Sequence, residues 1–231
     1  APVTGGNCSL YNQSPAGPID PTPTVAVVGL IEQPAHVTTQ WFKDEGDVIL
    51  LLGPAENPVV DAADPLLGLG GSAHLQVIHG KKTGSPPRCD LAQQKTIHDA
   101  LLTFIRNGLV QSAHDCSEGG LAVALAESCI SQLIARETPR LIGAKLDLSG
   151  AKAARLDALL FGETQGRIVL SATAANAKKI LAETKKLGVG IVRLGTVGGD
   201  ALEIKISAGE FSAKLTELHD PWWNSIARVM A

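Results

Sequence analysis

Apolar and polar positions along this chain follow two rhythms. Residues 24–31 (TVAVVGLI) and 47–53 (DVILLLG) are short, almost continuously apolar runs bounded by Pro or Gly, the pattern of strands buried on both faces. Residues 141–148, 167–171, 189–197 and 202–206 read as further strands, the last two as antiparallel partners across the Gly198-Gly199-Asp200 turn. The helical rhythm appears in residues 90–106, where apolar positions 91, 97, 101, 104 and 105 follow an aspartate and lead to Asn107-Gly108, predicting an N-capped amphipathic helix. Residues 69–78 predict a short glycine-led helix, 152–160 another, and 174–187 a lysine-rich surface helix. The tail from Phe211 predicts a helix that packs Trp222 and Trp223 on the body, and the prolines at 15, 18, 21 and 23 exclude regular structure before residue 24. Together these elements predict an α/β (α+β) fold, a mixed sheet with helices on one face.

Residues 112–127 (SAHDCSEGGLAVALAE) compress a short strand, a glycine turn and an apolar helix into one stretch. Two readings stand side by side. The glycines let backbone N–H groups approach an anion above the helix start, or Asp115 or Ser117 caps a helix beginning near Glu118.

Composition narrows the function classes. The chain has 231 residues, 45% of them hydrophobic, 3% aromatic, and a formal net charge of -3. Sparse aromatics and scattered basic residues lack the stacking platforms and phosphate-tracking stripes of nucleic-acid binders. No run has the length of a membrane span and no secretory leader pattern opens the chain. The cysteines at 8, 89, 116 and 129 form no CxxC pair, which predicts reduced thiols in a soluble cytoplasmic protein. The single methionine is Met230, so the expectation is a fragment that opens partway through a domain.

Three polar, glycine-rich loops compete for the chemistry. In residues 4–12, Gly5 and Gly6 expose N–H donors, while Asn7, Ser9 and Asn12 offer neutral oxygens of the kind Mg²⁺ accepts. The second loop is 114–120. The third is 161–167 (FGETQGR), where Glu163, Gln165 and Arg167 either grip a hydroxyl or phosphate or hold the loop through a Glu163–Arg167 ion pair. His114 beside Asp115 has the make-up of an acid–base pair, but no nucleophile accompanies it, and a structural histidine is the expectation.

These stretches, Gly5-Gly-Asn-Cys-Ser-Leu-Tyr-Asn12, the Pro-Thr-Pro leading to Val27-Val-Gly-Leu-Ile31, Leu69-Gly-Gly-Ser72, Ala113-His-Asp-Cys-Ser-Glu-Gly-Gly-Leu-Ala122 and Phe161-Gly-Glu-Thr-Gln-Gly-Arg167, resemble in order those of the phosphoribosylformylglycinamidine synthase family, of the aminoimidazole-ribonucleotide-synthetase-like superfamily. The resemblance covers nearly the whole chain and only the carboxyl-terminal part of that family's synthetase chain. It implies that residues 1–33 end a small strand-rich domain and that 34–231 form the larger α/β carboxyl-terminal domain. It implies an ATP-dependent amidine-forming ligase of purine biosynthesis, with Mg²⁺, a small-molecule substrate and ammonia from a glutaminase domain or subunit. Position by position, Gly6 matches a nucleotide-contacting glycine, Asn7 a magnesium ligand and Ser9 a contact to the substrate ribonucleotide. The family's catalytic histidine and most of its metal-binding carboxylates match nothing here, so no catalytic residue is assigned and the chain alone is expected not to turn over. Asp115, Ser117, Gly119, Gly120, Glu163, Gln165 and Arg167 are the candidates for an auxiliary nucleotide or phosphate site; the alternative is that this is a non-catalytic, nucleotide-binding or structural half of the enzyme, in which a bound nucleotide only stabilises the architecture. Cys8 stands where an aliphatic residue is common, Gln13 where Glu is common, and Thr164 where Ser or Ala is usual.

Overall fold

The computed structural model describes residues 2–8, 11–132, 140–151 and 153–230, in two units, Ala1–Pro34 and Ala35–Ala231. In the first, the only regular structure among the described residues is a small antiparallel hairpin of β1 (Gln13–Ser14) and β2 (Gly17–Pro18), paired Gln13↔Pro18 and Ser14↔Gly17. The proline-rich opening thus holds one short turn of sheet where none was expected. Residues 24–31 are not a buried strand: they carry no strand assignment and are exposed, Val28 by 94% and Leu30 by 87%. A continuous apolar run is buried only where neighbouring strands pair with it and layers cover both its faces, and the unit's two-residue strands supply neither.

The second unit is built on β3 (Val48–Gly53), in which every residue is buried. It is followed by α1 (Ala73–His79), α2 (Leu91–Arg106), β4 (Ser112–Asp115), α3 (Gly120–Ile130), β5 (Ala144–Asp147), α4 (Leu156–Phe161), β6 (Ile168–Ala172), α5 (Ala174–Leu187), β7 (Gly190–Val197), β8 (Ala201–Ile206), β9 (Gly209–Lys214), α6 (Leu215–Trp223) and α7 (Ser225–Met230). Strands β4 to β9 and β3 form one sheet in the order β4-β6-β3-β7-β5-β8-β9, and of its pairings only β5–β8 is parallel.

The period of two in β3 separates two cores. Val48, Leu50 and Leu52 pack with Ile97 and Phe104 of α2 and Ile180 of α5; Ile49 and Leu51 pack with Leu121 and Leu125 of α3, Leu159 of α4 and Leu215 of α6. The sheet is mixed, as its sequence predicts, but helices cover both faces of its β6–β3 centre instead of one. Toward β5 and β8 one face is polar, with Lys145–Glu203 at 3.3 Å and Lys205–Asp147 at 3.8 Å.

Local signals mark several elements correctly. Asp90 caps α2 by accepting from the Gln93 N–H at 3.0 Å, and α5 runs between a Thr173 cap and Gly188 at φ 69°, as side-chain capping and a left-handed C-terminal glycine require. The expected β7–β8 hairpin does not form, because β5 lies between them, pairing Ala144 with Val197 on one side and Leu202 on the other. The turn at 198–200 wraps around Gly143: Gly198 N–H donates to Gly143 O at 2.7 Å and Gly143 N–H to Gly199 O at 2.8 Å. A Cβ at residue 143 would lie 2.4 Å from Ala201 O, so only glycine lets the distant strand enter there. Residues 209–214, expected partly as helix, form edge strand β9, and the helix starts at Leu215. Among the described residues no helix is long and apolar enough to cross a membrane.

Leu51, fully buried between β6 and β7, tests this arrangement. Leu51→Ala should cost about 2–5 kcal/mol in urea unfolding, the range for a buried leucine truncation; a loss under about 1 kcal/mol would show that β3 is not the core strand.

Candidate functional site

β4 and β6 are antiparallel neighbours with Asp115 opposite Ile168, so the loop leaving β4 meets the loop entering β6. Cys116 N–H extends the ladder to Arg167 O at 2.8 Å. Between these loops and the start of α2 lies a cleft of about 530 Å³, lined by residues 115–118, Glu163 and 165–168 together with Gln94 and His98. A larger cleft of about 820 Å³ adjoins it and shares Cys89, Gln94 and Gln165. The second and third polar loops of the sequence therefore come together.

The helix in this motif begins two residues later than its sequence implies, at Gly120, and is capped differently. Gly119, at φ 78°, is the N-cap of α3, with no side-chain cap bond; Asp115 and Ser117 bond each other instead, the Ser117 hydroxyl donating to the carboxylate. That bond holds the Asp115 carboxyl below its usual range against the opposing effect of burial. Two amides at the helix start are already engaged: Gly119 N–H donates to Glu163 Oε1 at 2.9 Å and Gly120 N–H to Ser117 O at 3.0 Å. A bare anion above α3 would have to displace these bonds.

Glu163 and Arg167 form no ion pair. Arg167 is 1% exposed, and its guanidinium donates to three backbone carbonyls: Val59 O at 2.8 Å, Thr164 O at 3.4 Å and Gly162 O. Burial pulls its pKa down from the usual guanidinium value, yet five donors in a fixed fork allow one side chain to satisfy several acceptors. The Glu163 carboxylate binds backbone amides, Ala73 N–H at 2.8 Å as well as Gly119 N–H. The loop thus uses its charged side chains on the main chain.

His114 is structural, as expected. Its Nε2 is 2.8 Å from Glu127 Oε2, and the other Glu127 oxygen accepts from Trp222 Nε1 at 3.1 Å. The sequence reading missed Glu127, although it is the only charged residue on α3, a signal that a partner was buried with it. Neither buried thiol is primed for nucleophilic attack: burial pushes Cys116 up to about 11 and Cys129 to about 12.

Gly6 and Asn7 lie exposed in the first unit, and Ser9 falls outside the described residues. Among the described residues no group of three or more His, Cys, Asp or Glu side chains could hold a metal ion.

Residues 44–206 match the family described as AIR synthase related protein, C-terminal domain. The chain is 41% identical, over 99% of its length, to phosphoribosylformylglycinamidine synthase subunit PurL of Anaeromyxobacter sp. strain K, and 36% identical over its full length to that of Moorella thermoacetica. It spans 28–29% of the length of these relatives. Among solved structures, Thermotoga maritima PurL complexed with FGAR matches 80% of this chain with a TM-score of 0.62 at 20% identity, covering 30% of that chain; the same protein complexed with ATP matches 80% with a TM-score of 0.57 at 18% identity, covering 28%. At such identities these structures establish the shared fold.

The Glu127 network predicts a pH dependence. The His114 hydrogen bond, then that of Trp222, holds the Glu127 carboxyl below its ordinary 4.5. Its contribution to stability is complete above that value and is lost as pH falls through the lowered one. Urea midpoints measured from about pH 7 to 3 should fall less steeply below pH 4.5 in Glu127→Gln than in the parent; identical acid limbs would contradict the network's role.

Proposed function

The chain belongs to the AIR synthase related family, as a carrier of its C-terminal domain, and on that premise we propose that it is one segment of an ATP-dependent carbon–nitrogen ligase. The reaction is the conversion of formylglycinamide ribonucleotide, ATP and glutamine-derived ammonia to formylglycinamidine ribonucleotide in purine biosynthesis. The observation that carries this reading is identity of 41% over 99% of the chain to a relative of that name. T. maritima PurL complexed with ATP and with FGAR supports the ligand classes.

In this reading ATP phosphorylates the amide oxygen, and ammonia displaces the phosphate to give the amidine. Residues 1–33 contribute the end of a small strand-rich domain, in which Gly6 contacts nucleotide, Asn7 supplies one oxygen to Mg²⁺ and Ser9 contacts the ribonucleotide. Residues 34–231 contribute the larger domain. The chemistry needs the remainder of a synthetase chain and a glutaminase, and the setting is the cytoplasm. No residue of this chain is assigned a catalytic role.

One observation favours a second reading for the 530 Å³ cleft, that this half is structural and holds no nucleotide: Glu163 already occupies the Gly119 amide at the start of α3. Under the first reading a nucleotide there binds through Asp115, Ser117 and Gln165, with its phosphate charge offset by a cation.

Reconstitution tests the ligase reading. A PurL chain lacking its matching carboxyl-terminal segment should be inactive, and this chain alone should give no amidine with ATP, ammonia and substrate. Mixing the two should restore ATP- and ammonia-dependent product. A folded, associated mixture that makes no product would count against the reading.

A further inference from the structure

Glu163 ties together segments that are distant along the chain. One carboxylate oxygen accepts from Ala73 N–H, 90 residues away, and from Gly119 N–H, 44 residues away. Its own N–H donates to Gly68 O at 2.8 Å. Gly68 N–H in turn donates to Asp64 Oδ2 at 2.8 Å, closing the loop that leads to α1.

The backbones are close enough for this only because two positions lack a side chain. A Cβ at residue 68 would lie 2.7 Å from Thr164 Oγ1, and one at residue 120 would lie 2.5 Å from Gly162 O. Beneath them, the Arg167 guanidinium holds Gly162 and Thr164 by their carbonyls. The Glu163 carboxylate is therefore presented from an anchored loop to two amides that approach from different elements. Bonds between a charged acceptor and backbone donors are stronger than neutral ones.

We propose that Glu163 is a positioning residue for the 530 Å³ cleft: it joins the first residue of α1 to the N-cap of α3 and thereby fixes where Asp115 and Ser117 stand relative to Gln165. It acts through the main chain and touches no reacting group. This role rests on the reading of the cleft as the functional face, whereas the bonds themselves are measurable whatever the cleft binds.

Amide hydrogen exchange on the 231-residue chain separates this role from a general contribution to folding. In Glu163→Ala, the protection of the Ala73 and Gly119 amides should fall about tenfold or more, while Leu50 and Leu51 in β3 keep theirs. Glu163→Gln retains a side-chain carbonyl oxygen and should keep both amides within about threefold of the parent. If the alanine variant fails to fold, Glu163→Asp, one methylene too short for both amides, should give the same local loss. Unchanged protection at Ala73 and Gly119, or an equal loss at Leu50 and Leu51, would overturn the proposal.

Discussion

The guanidinium of Arg167, sealed from solvent and bonded to the carbonyls of Val59, Gly162 and Thr164, is the interaction on which the cleft depends. Burying a charge without a counter-charge is expensive unless its donors are satisfied. Here the acceptors are backbone dipoles, and two of the three come from the loop that Arg167 itself ends. The side chain therefore folds its own loop back and pins it to the segment at residue 59. With that loop anchored, Glu163 collects the amides of Ala73 and Gly119. A cation on carbonyls and an anion on amides, four residues apart, replace the ion pair that their spacing invites.

That loop enters β6, which lies between β3 and β4 in the sheet. Because β3 is packed on both faces, by α2 and α5 on one and by α3, α4 and α6 on the other, the strand ends bearing the cleft loops have little freedom to shift. His114 and Glu127 add a polar bond between β4 and α3, and Trp222 brings α6 to the same carboxylate. The site is thus a set of loops held by main-chain bonds over a rigid sheet, with Asp115, Ser117 and Gln165 left facing the cleft. Within the proposed ligase this suits a part that shapes a binding surface while groups elsewhere perform the chemistry.

Much of this fold is legible in the chain because its signals are local. Asp90 and Gly188 mark their helix ends through bonds within one turn, and 48–52 announces a doubly buried strand by apolar continuity. Legibility stops where a contact spans the sequence. Nothing near residues 198–200 says that Gly143 will enter their turn, so a hairpin is the natural but incorrect reading. Residues 24–31 have the pattern of a buried strand, yet pattern alone cannot supply the neighbours that would bury it. In the cleft, residue types disclosed which loops come together, whereas the partners of Glu163 and Arg167 did not follow from spacing because they are backbone groups, several of them brought in by distant segments. The reaction proposed for the chain rests on its resemblance to the synthetase family, which local rules could not supply.

The cleft depends most directly on one guanidinium satisfying three carbonyls, and equilibrium urea unfolding of Arg167→Lys tests that dependence. Lysine keeps the charge but presents a compact ammonium that cannot span the three acceptors. The expected loss is about 3 kcal/mol or more, in the range for leaving a buried charge poorly compensated, whereas a loss below about 1 kcal/mol would contradict the role given to Arg167.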